Sequence, residues 1–182
     1  MQRGFAGTST LEIATAANVS KRELYSHFGN KEALLGACIQ ARADRMRQPV
    51  RLAAIGDRGS LARTLIAFGT AILHGATDPA VIGVFRLAIT EANRSPEIAR
   101  MLHRTGRETN HRVLADLLKQ AQSLHLVARG EPLDLAARFL ALLWGDLLLQ
   151  LLLRVVKRPS PAEAERRARR AAEDFLKLYA TS

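Results

Sequence analysis

The densest group of side chains with chemical capability lies near the N-terminus, where Ser20, Lys21, Arg22, Tyr25, Ser26, His27 and Lys31 crowd into one short stretch. On a helix opening at Ser20, Leu24 and Phe28 are four apart and share one inward face. Lys21, Arg22, Tyr25, Ser26 and His27 are then left outward, a polar and largely basic surface beside a helix N-terminus. Guanidinium, ammonium and hydroxyl groups so placed suit phosphate oxygens, and an arginine there can also pair with the major-groove edge of guanine. No comparable grouping occurs elsewhere. His74, His103, His111 and His125 are not at the three- or four-residue spacing that presents two imidazoles to a metal. Ser95, directly before Pro96, reads as a helix cap rather than a nucleophile. With no glycine-rich phosphate loop either, the chain is expected to hold no metal or cofactor and not to be an enzyme.

The whole composition agrees with a polyanionic partner. The 182 residues carry 27 Lys and Arg against 17 Asp and Glu, a formal charge of +10. Apolar residues make up 48%, enough for a real core, while aromatics reach only 5%, which favours helix over sheet. A single cysteine, Cys38, excludes an internal disulfide and reads as an inert, half-buried thiol. The apolar run from Phe139 to Val156 is broken by Asp146 and Gln150 and ended by Arg154, so it is not expected to span a membrane. With no signal peptide visible at the N-terminus, a cytoplasmic protein is expected.

The elements that must position the basic face are announced by their caps. Ser9 with Glu12, Ser20 with Glu23 and Ser160 with Glu163 form capping-box patterns, and Asp78-Pro79, Ser95-Pro96 and Ser160-Pro161 place a cap before a first-turn proline. Asn30 opens a further helix. The pattern predicts short helices at 9–16 and 21–28 and longer ones at 31–47, 60–76, 79–93, 96–124, 133–157 and 161–180, with no alternating strand segment. The fold class is all-α, with a helix-turn-helix in the N-terminal part (residues 1–47) and a longer helical domain after it (residues 48–182).

The two short helices flank a turn of Ala17, Asn18, Val19 and Ser20, with Leu11, Ile13, Ala14, Ala17 and Val19 sized to pack one helix on the other. The stretch from Thr10 to Leu34 resembles the DNA-binding signature of the tetracycline-repressor (TetR) family, notably at Ile13-Ala14, Val19-Ser20, Leu24-Tyr25, His27-Phe28 and Asn30 to Leu34. The resemblance implies that Ser20 caps the recognition helix, that Lys21 and Arg22 reach bases or phosphates, and that Tyr25, His27 and Lys31 contact phosphates. Asn18 stands where the family usually has glycine, and asparagine tolerates a left-handed backbone. Glu23 stands where a small hydroxyl residue is common; it can accept from a cytosine amine, but capping Ser20 is the favoured role. The opening residues Met1 to Gly7 match only the end of the family's first helix. The expectation is that a longer N-terminal version binds operator DNA better than this chain.

Beyond Pro49, the helix expected at 133–157 is apolar around nearly its whole circumference, which calls for burial in its own core and in a second subunit. The family resemblance implies a four-helix bundle of the last two helices with those of a partner, with Leu147, Leu148, Leu151, Phe175 and Leu178 as interface candidates. Arg166, Arg167, Arg169 and Arg170 are expected towards solvent. The segment from Phe85 to Arg100, with Phe139 to Gly145, resembles one C-terminal subclass of the family and implies a ligand cavity among the central helices. Its candidate wall is Phe68, Ile72, Phe85, Ile89, Leu102, Phe139, Leu143 and Trp144, with Arg86, Glu91 and His111 as polar candidates. The expected function is that of a homodimeric repressor of a palindromic double-stranded operator, released by a small-molecule effector. Alternatives are a non-DNA-binding helical dimer with a vestigial N-terminal domain, and a protein held at a membrane surface by its basic tail.

Overall fold

The computed structural model describes residues 15, 18–94 and 96–179, without the Glu32 side chain. The helix expected at 9–16 falls outside the described residues apart from Thr15, as do Ser9, Leu11, Ile13, Ala14, Ala17 and the cap Ser95. No strand occurs among the described residues. The helices are α1 (Lys21–Phe28), α2 (Lys31–Arg51), α3 (Arg58–Ala76), α4 (Pro79–Thr90), α5 (Pro96–Met101), a π segment (Leu102–Glu108), α6 (Thr109–Ser123), α7 (Pro132–Trp144), α8 (Leu147–Leu152) and α9 (Pro161–Leu178).

Local chemistry opens most of them as expected. Asp78 caps α4 by accepting from the Ala80 N–H, and Ser160 and Glu163 form a reciprocal box at α9. An unanticipated box of Asp57 with Ser60 starts α3 at Arg58, two residues earlier than the pattern indicates. α2 runs on through Pro49 to Arg51. A proline in the last turn forfeits one hydrogen bond, a smaller disturbance than in mid-helix.

Two expected helices differ in a way that matters. The helix at 133–157 is broken at Gly145, whose φ of +46° lies in the left-handed region open to glycine. Arg167 fixes the break: its Nε donates to the Leu143 carbonyl and its Nη2 to the Trp144 carbonyl, each at 2.6 Å. Arg167 is therefore half-buried as a helix cap, contrary to its expected solvent position. The helix at 96–124 is interrupted by the π segment, a wider turn with i to i+5 bonding that is frequent at functional sites.

The main core is built around α3. Leu61, Leu65 and Phe68 are fully buried against Leu114 and Leu118 of α6, Phe139 and Leu143 of α7, and Phe175 of α9. Small residues let α3 and α9 approach closely: a Cβ built on Gly69 would lie 3.1 Å from the Ala168 Cβ and 3.1 Å from Leu143 Cδ1. A second, smaller cluster of Ala88, Ile98 and Leu102 takes in Leu35 and Ile39 of α2. It joins the helix that follows the recognition helix to α4 and α5.

Candidate nucleic-acid interface

The turn before α1 is held by Asn18, whose φ of +54° is the left-handed conformation expected of it. Its N–H donates to the Thr15 carbonyl at 3.1 Å. Ser20 then caps α1: its Oγ accepts from the Glu23 N–H at 3.1 Å, and the Glu23 carboxylate accepts from the Ser20 N–H at 2.8 Å. The Ser20 hydroxyl and then the Ser20 N–H, both bonded to this carboxylate, hold the Glu23 pKa below the usual value. Glu23 is thus engaged as a cap in this structure.

Leu24 is buried at 5% exposure and anchors α1, with Phe28 half-buried beside it. Val19 differs from expectation, standing 42% exposed rather than enclosed between helices. Lys21, Arg22, Tyr25, Ser26 and His27 are all exposed, so the structure brings these five sequence candidates onto the open surface of one helix. Lys21 Nζ lies 5.7 Å from the Tyr25 ring centroid, a cation–π arrangement that orders both side chains. Ser26 Oγ donates to the Glu23 carbonyl at 2.9 Å.

Gly29, at φ +77°, ends α1, and its N–H donates to the Tyr25 carbonyl at 2.8 Å. Asn30 caps the next helix by accepting from the Ala33 N–H at 2.7 Å. Lys31, half-buried, therefore sits on the first turn of α2, where helix N–H groups and the helix dipole favour a phosphate. The glycine turn places this second cationic helix start directly after the exposed face of α1. Cys38 is exposed on α2, which corrects the half-buried thiol expected from its apolar neighbours.

The C-terminal candidates divide. Phe68, Ile72, Phe139 and Leu143 belong to the main core, each at 3% exposure or less, with Trp144 packed against it. Phe85 and Leu102 belong to the second cluster instead. Ile89 is 62% exposed, so the eight are not gathered around one enclosed space. Arg86 has a structural partner, donating from Nε to Leu152 and from Nη2 to Leu151, at 3.1 and 2.7 Å, across the C-terminal end of α8. His111 is half-buried, and desolvation first, then the Arg107 and His103 charges, lower its pKa. An open groove of about 360 Å³ between α3 and α9, lined by Arg63, Ile66, Ala67, Thr70, Glu165 and Arg169, includes none of the sequence candidates.

Of the subunit-contact candidates, Leu147, Leu151 and Phe175 are buried within this chain, Leu148 is half-buried and Leu178 is exposed. The break at Gly145 changes the phase of α8, so the apolar side chains facing out are Leu149 and Leu153, at 58% and 63% exposure, with Val155 and Val156 following. No single helix among the described residues is long and apolar enough to cross a membrane. Sequence reasoning missed the tying role of Arg47, Arg86 and Arg167, and of Arg58 and Arg158, which donate to the Leu176 and His74 carbonyls. Only Arg86 stands between apolar neighbours, Phe85 and Leu87, and the carbonyls that these arginines bind are distant in sequence.

Comparison with known proteins adds independent support. Residues 1–38 match the profile of bacterial regulatory proteins of the tetR family, and residues 63–181 match that of the AefR-like transcriptional repressor C-terminal domain. No curated protein matches. A protein described as a TetR-family transcriptional regulator from Mesorhizobium loti MAFF303099 is similar over 98% of this chain and 90% of its own, at 28% identity and a TM-score of 0.79. A TetR transcriptional regulator from Agrobacterium tumefaciens is similar over 96% of this chain and 84% of its own, at 27% identity and a TM-score of 0.75. The flavonoid-responsive regulator FrrA is similar over 97% of this chain and 89% of its own, at 29% identity and a TM-score of 0.68. A capped, basic recognition helix on an all-helical body thus coincides with profiles at both ends of the sequence: the chain belongs to the TetR family of DNA-binding transcriptional repressors.

Proposed function

We propose that two copies of this chain read a palindromic operator, each inserting α1 into the major groove, and that a small organic effector releases them. Lys21 and Arg22 supply the base and phosphate contacts at the helix start, and Tyr25, Ser26, His27 and Lys31 hold the flanking backbone. The observation that carries this reading is the open face of α1, where five polar or cationic side chains are exposed on a helix anchored by Leu24 and capped by Ser20. Residues 1–47 form the DNA-binding part and residues 48–182 the effector and dimer part, with α2 crossing the division. The subunit contact is formed by Leu149 on the outer side of α8, by Leu153 and Val155 just beyond its end, and by the exposed Leu178 of α9. The protein works in the cytoplasm, where its DNA is, and carries out no catalytic step.

The effector is an apolar-bodied molecule of the size that central helices can enclose, and a planar hydroxylated aromatic is the first class to test. The similarity to a regulator described as flavonoid-responsive supports that choice. The operator reading is tested by selecting duplexes from a random pool with the purified chain. Enrichment of an inverted repeat with half-sites about 10 bp apart supports a dimer with two α1 helices one DNA turn apart. Enrichment of no repeat contradicts it.

A further inference from the structure

The helix that carries the DNA-binding end of the molecule is fastened to the body at an unusual place. Arg47 of α2 is fully buried. Its Nη2 donates to Asp44 Oδ1 at 2.7 Å, and its Nη1 crosses to the Thr105 carbonyl inside the π segment at 3.1 Å. The wide turn closes through its backbone, the Thr109 N–H donating to the Arg104 carbonyl five residues back, and Thr109 Oγ1 donates to the same carbonyl at 2.8 Å. Two polar atoms at this junction, Arg47 Nε and Asn110 Oδ1, are buried without a hydrogen-bond partner among the described residues. Asn110 follows Thr105 by five residues, one wide turn along the same rod.

A π turn holds one residue more than an α turn. Winding it into α register therefore moves everything on its N-terminal side by about 1.5 Å and rotates it by about 100° relative to the C-terminal side. The C-terminal side, α6, is locked in the main core through Leu114, Leu117 and Leu118. The N-terminal side is what α2 touches: Leu102 clusters with Leu35 and Ile39, and Gly36 faces Met101, whose Sδ would lie 3.2 Å from a Cβ there. Elements that settle into one fixed packing rarely leave a buried guanidinium hydrogen and a buried amide oxygen unpaired together.

We propose that the π segment is a register switch, and that Arg47 is the positioning residue through which its register sets the lean of α2 and so of the recognition helix. The proposal deepens the effector-release reading by naming the element an effector would bias. The exposed native Cys38 on α2 gives a direct readout. A second cysteine is introduced at the exposed Lys119 of α6 (Lys119→Cys), both are spin-labelled, and the protein is diluted into unlabelled Cys38→Ser chain so that only the intrachain distance is measured.

Two perturbations act on opposite ends of the proposed link. Arg47→Met keeps the aliphatic stem and removes the hydrogen bonds. Thr109→Val is nearly isosteric and removes the hydroxyl bond to the Arg104 carbonyl that spans the wide turn. Both are expected to shift the distance peak in the same direction by about 2 Å or more. If only one shifts it, if they shift it oppositely, or if neither does, the coupling through Arg47 is overturned. Should Arg47→Met fail to fold by circular dichroism, Arg47→Lys is judged by the same criterion. Because the readout needs neither operator nor effector, its failure is distinct from failure of the DNA-binding reading.

Discussion

Replacing Arg167 by methionine tests whether the break at Gly145 is held by a side chain 22 residues away. The guanidinium makes two short bonds, 2.6 Å each, to the Leu143 and Trp144 carbonyls, which are the unpaired acceptors at the end of α7. Hydrogen bonds to a charged partner contribute about 1.5–3 kcal/mol each when buried. Arg167 is only half-buried, so water replaces part of both. Methionine preserves much of the stem packing. The net loss worked from these terms is about 2–3 kcal/mol, or a fall in Tm of roughly 5–10 °C for a chain of this size. Urea unfolding at fixed protein concentration measures it, with Arg166→Met as the control, an exposed neighbour expected to change stability by less than about 0.5 kcal/mol. If the two variants unfold alike, Arg167 is not the cap and the break in the apolar run needs another cause.

Other expectations follow from the same structure. Gly69→Leu forces a side chain against Ala168 and Leu143, already 3.1 Å from a bare Cβ, and should cost about 1–3 kcal/mol in the same assay. His111 has a lowered folded pKa, chiefly through burial, so the unfolded chain binds its proton more readily. Stability should accordingly fall as pH drops from about 6.5 through the folded pKa, and His111→Gln should remove that loss in unfolding curves taken between pH 7.5 and 5; an unchanged pH slope counts against it. Leu149→Glu and Leu153→Glu, both at exposed positions, should leave the helical spectrum intact and halve the mass seen by light scattering. A mass that stays dimeric would place the subunit contact elsewhere.

Much of the site was legible because its determinants are local. Ser20 with Glu23, Asn30, and the left-handed Asn18 each act within a few residues, and so does the four-residue spacing of Leu24 and Phe28 that leaves the basic face outward. The body was less legible because its decisive contacts are long-range. Arg47 reaches 58 residues to Thr105 and Arg86 reaches 66 to Leu152, and no window of sequence displays such pairs. Leucine at every position of 147–153 except Gln150 reveals little phase by itself. Once Gly145 breaks the rod, Leu147 and Leu151 turn inward and Leu149 and Leu153 outward, which exchanges interface candidates for core. Composition could not reveal the π segment either, since Leu102 to Glu108 would serve equally well in an α-helix.

The claim that the exposed face of α1 reads DNA is tested most directly by the salt dependence of binding to the selected duplex, followed by fluorescence anisotropy. Each neutralised phosphate adds about 0.9 to the slope of log affinity against log salt. Removing Lys21 and Arg22 in both subunits of a dimer (Lys21→Ala with Arg22→Ala) should therefore flatten the slope by about 2–4 and weaken binding at every salt concentration, with the helical spectrum unchanged. A double variant that binds with the parent's affinity and slope would contradict the assignment of this face as the DNA-reading surface.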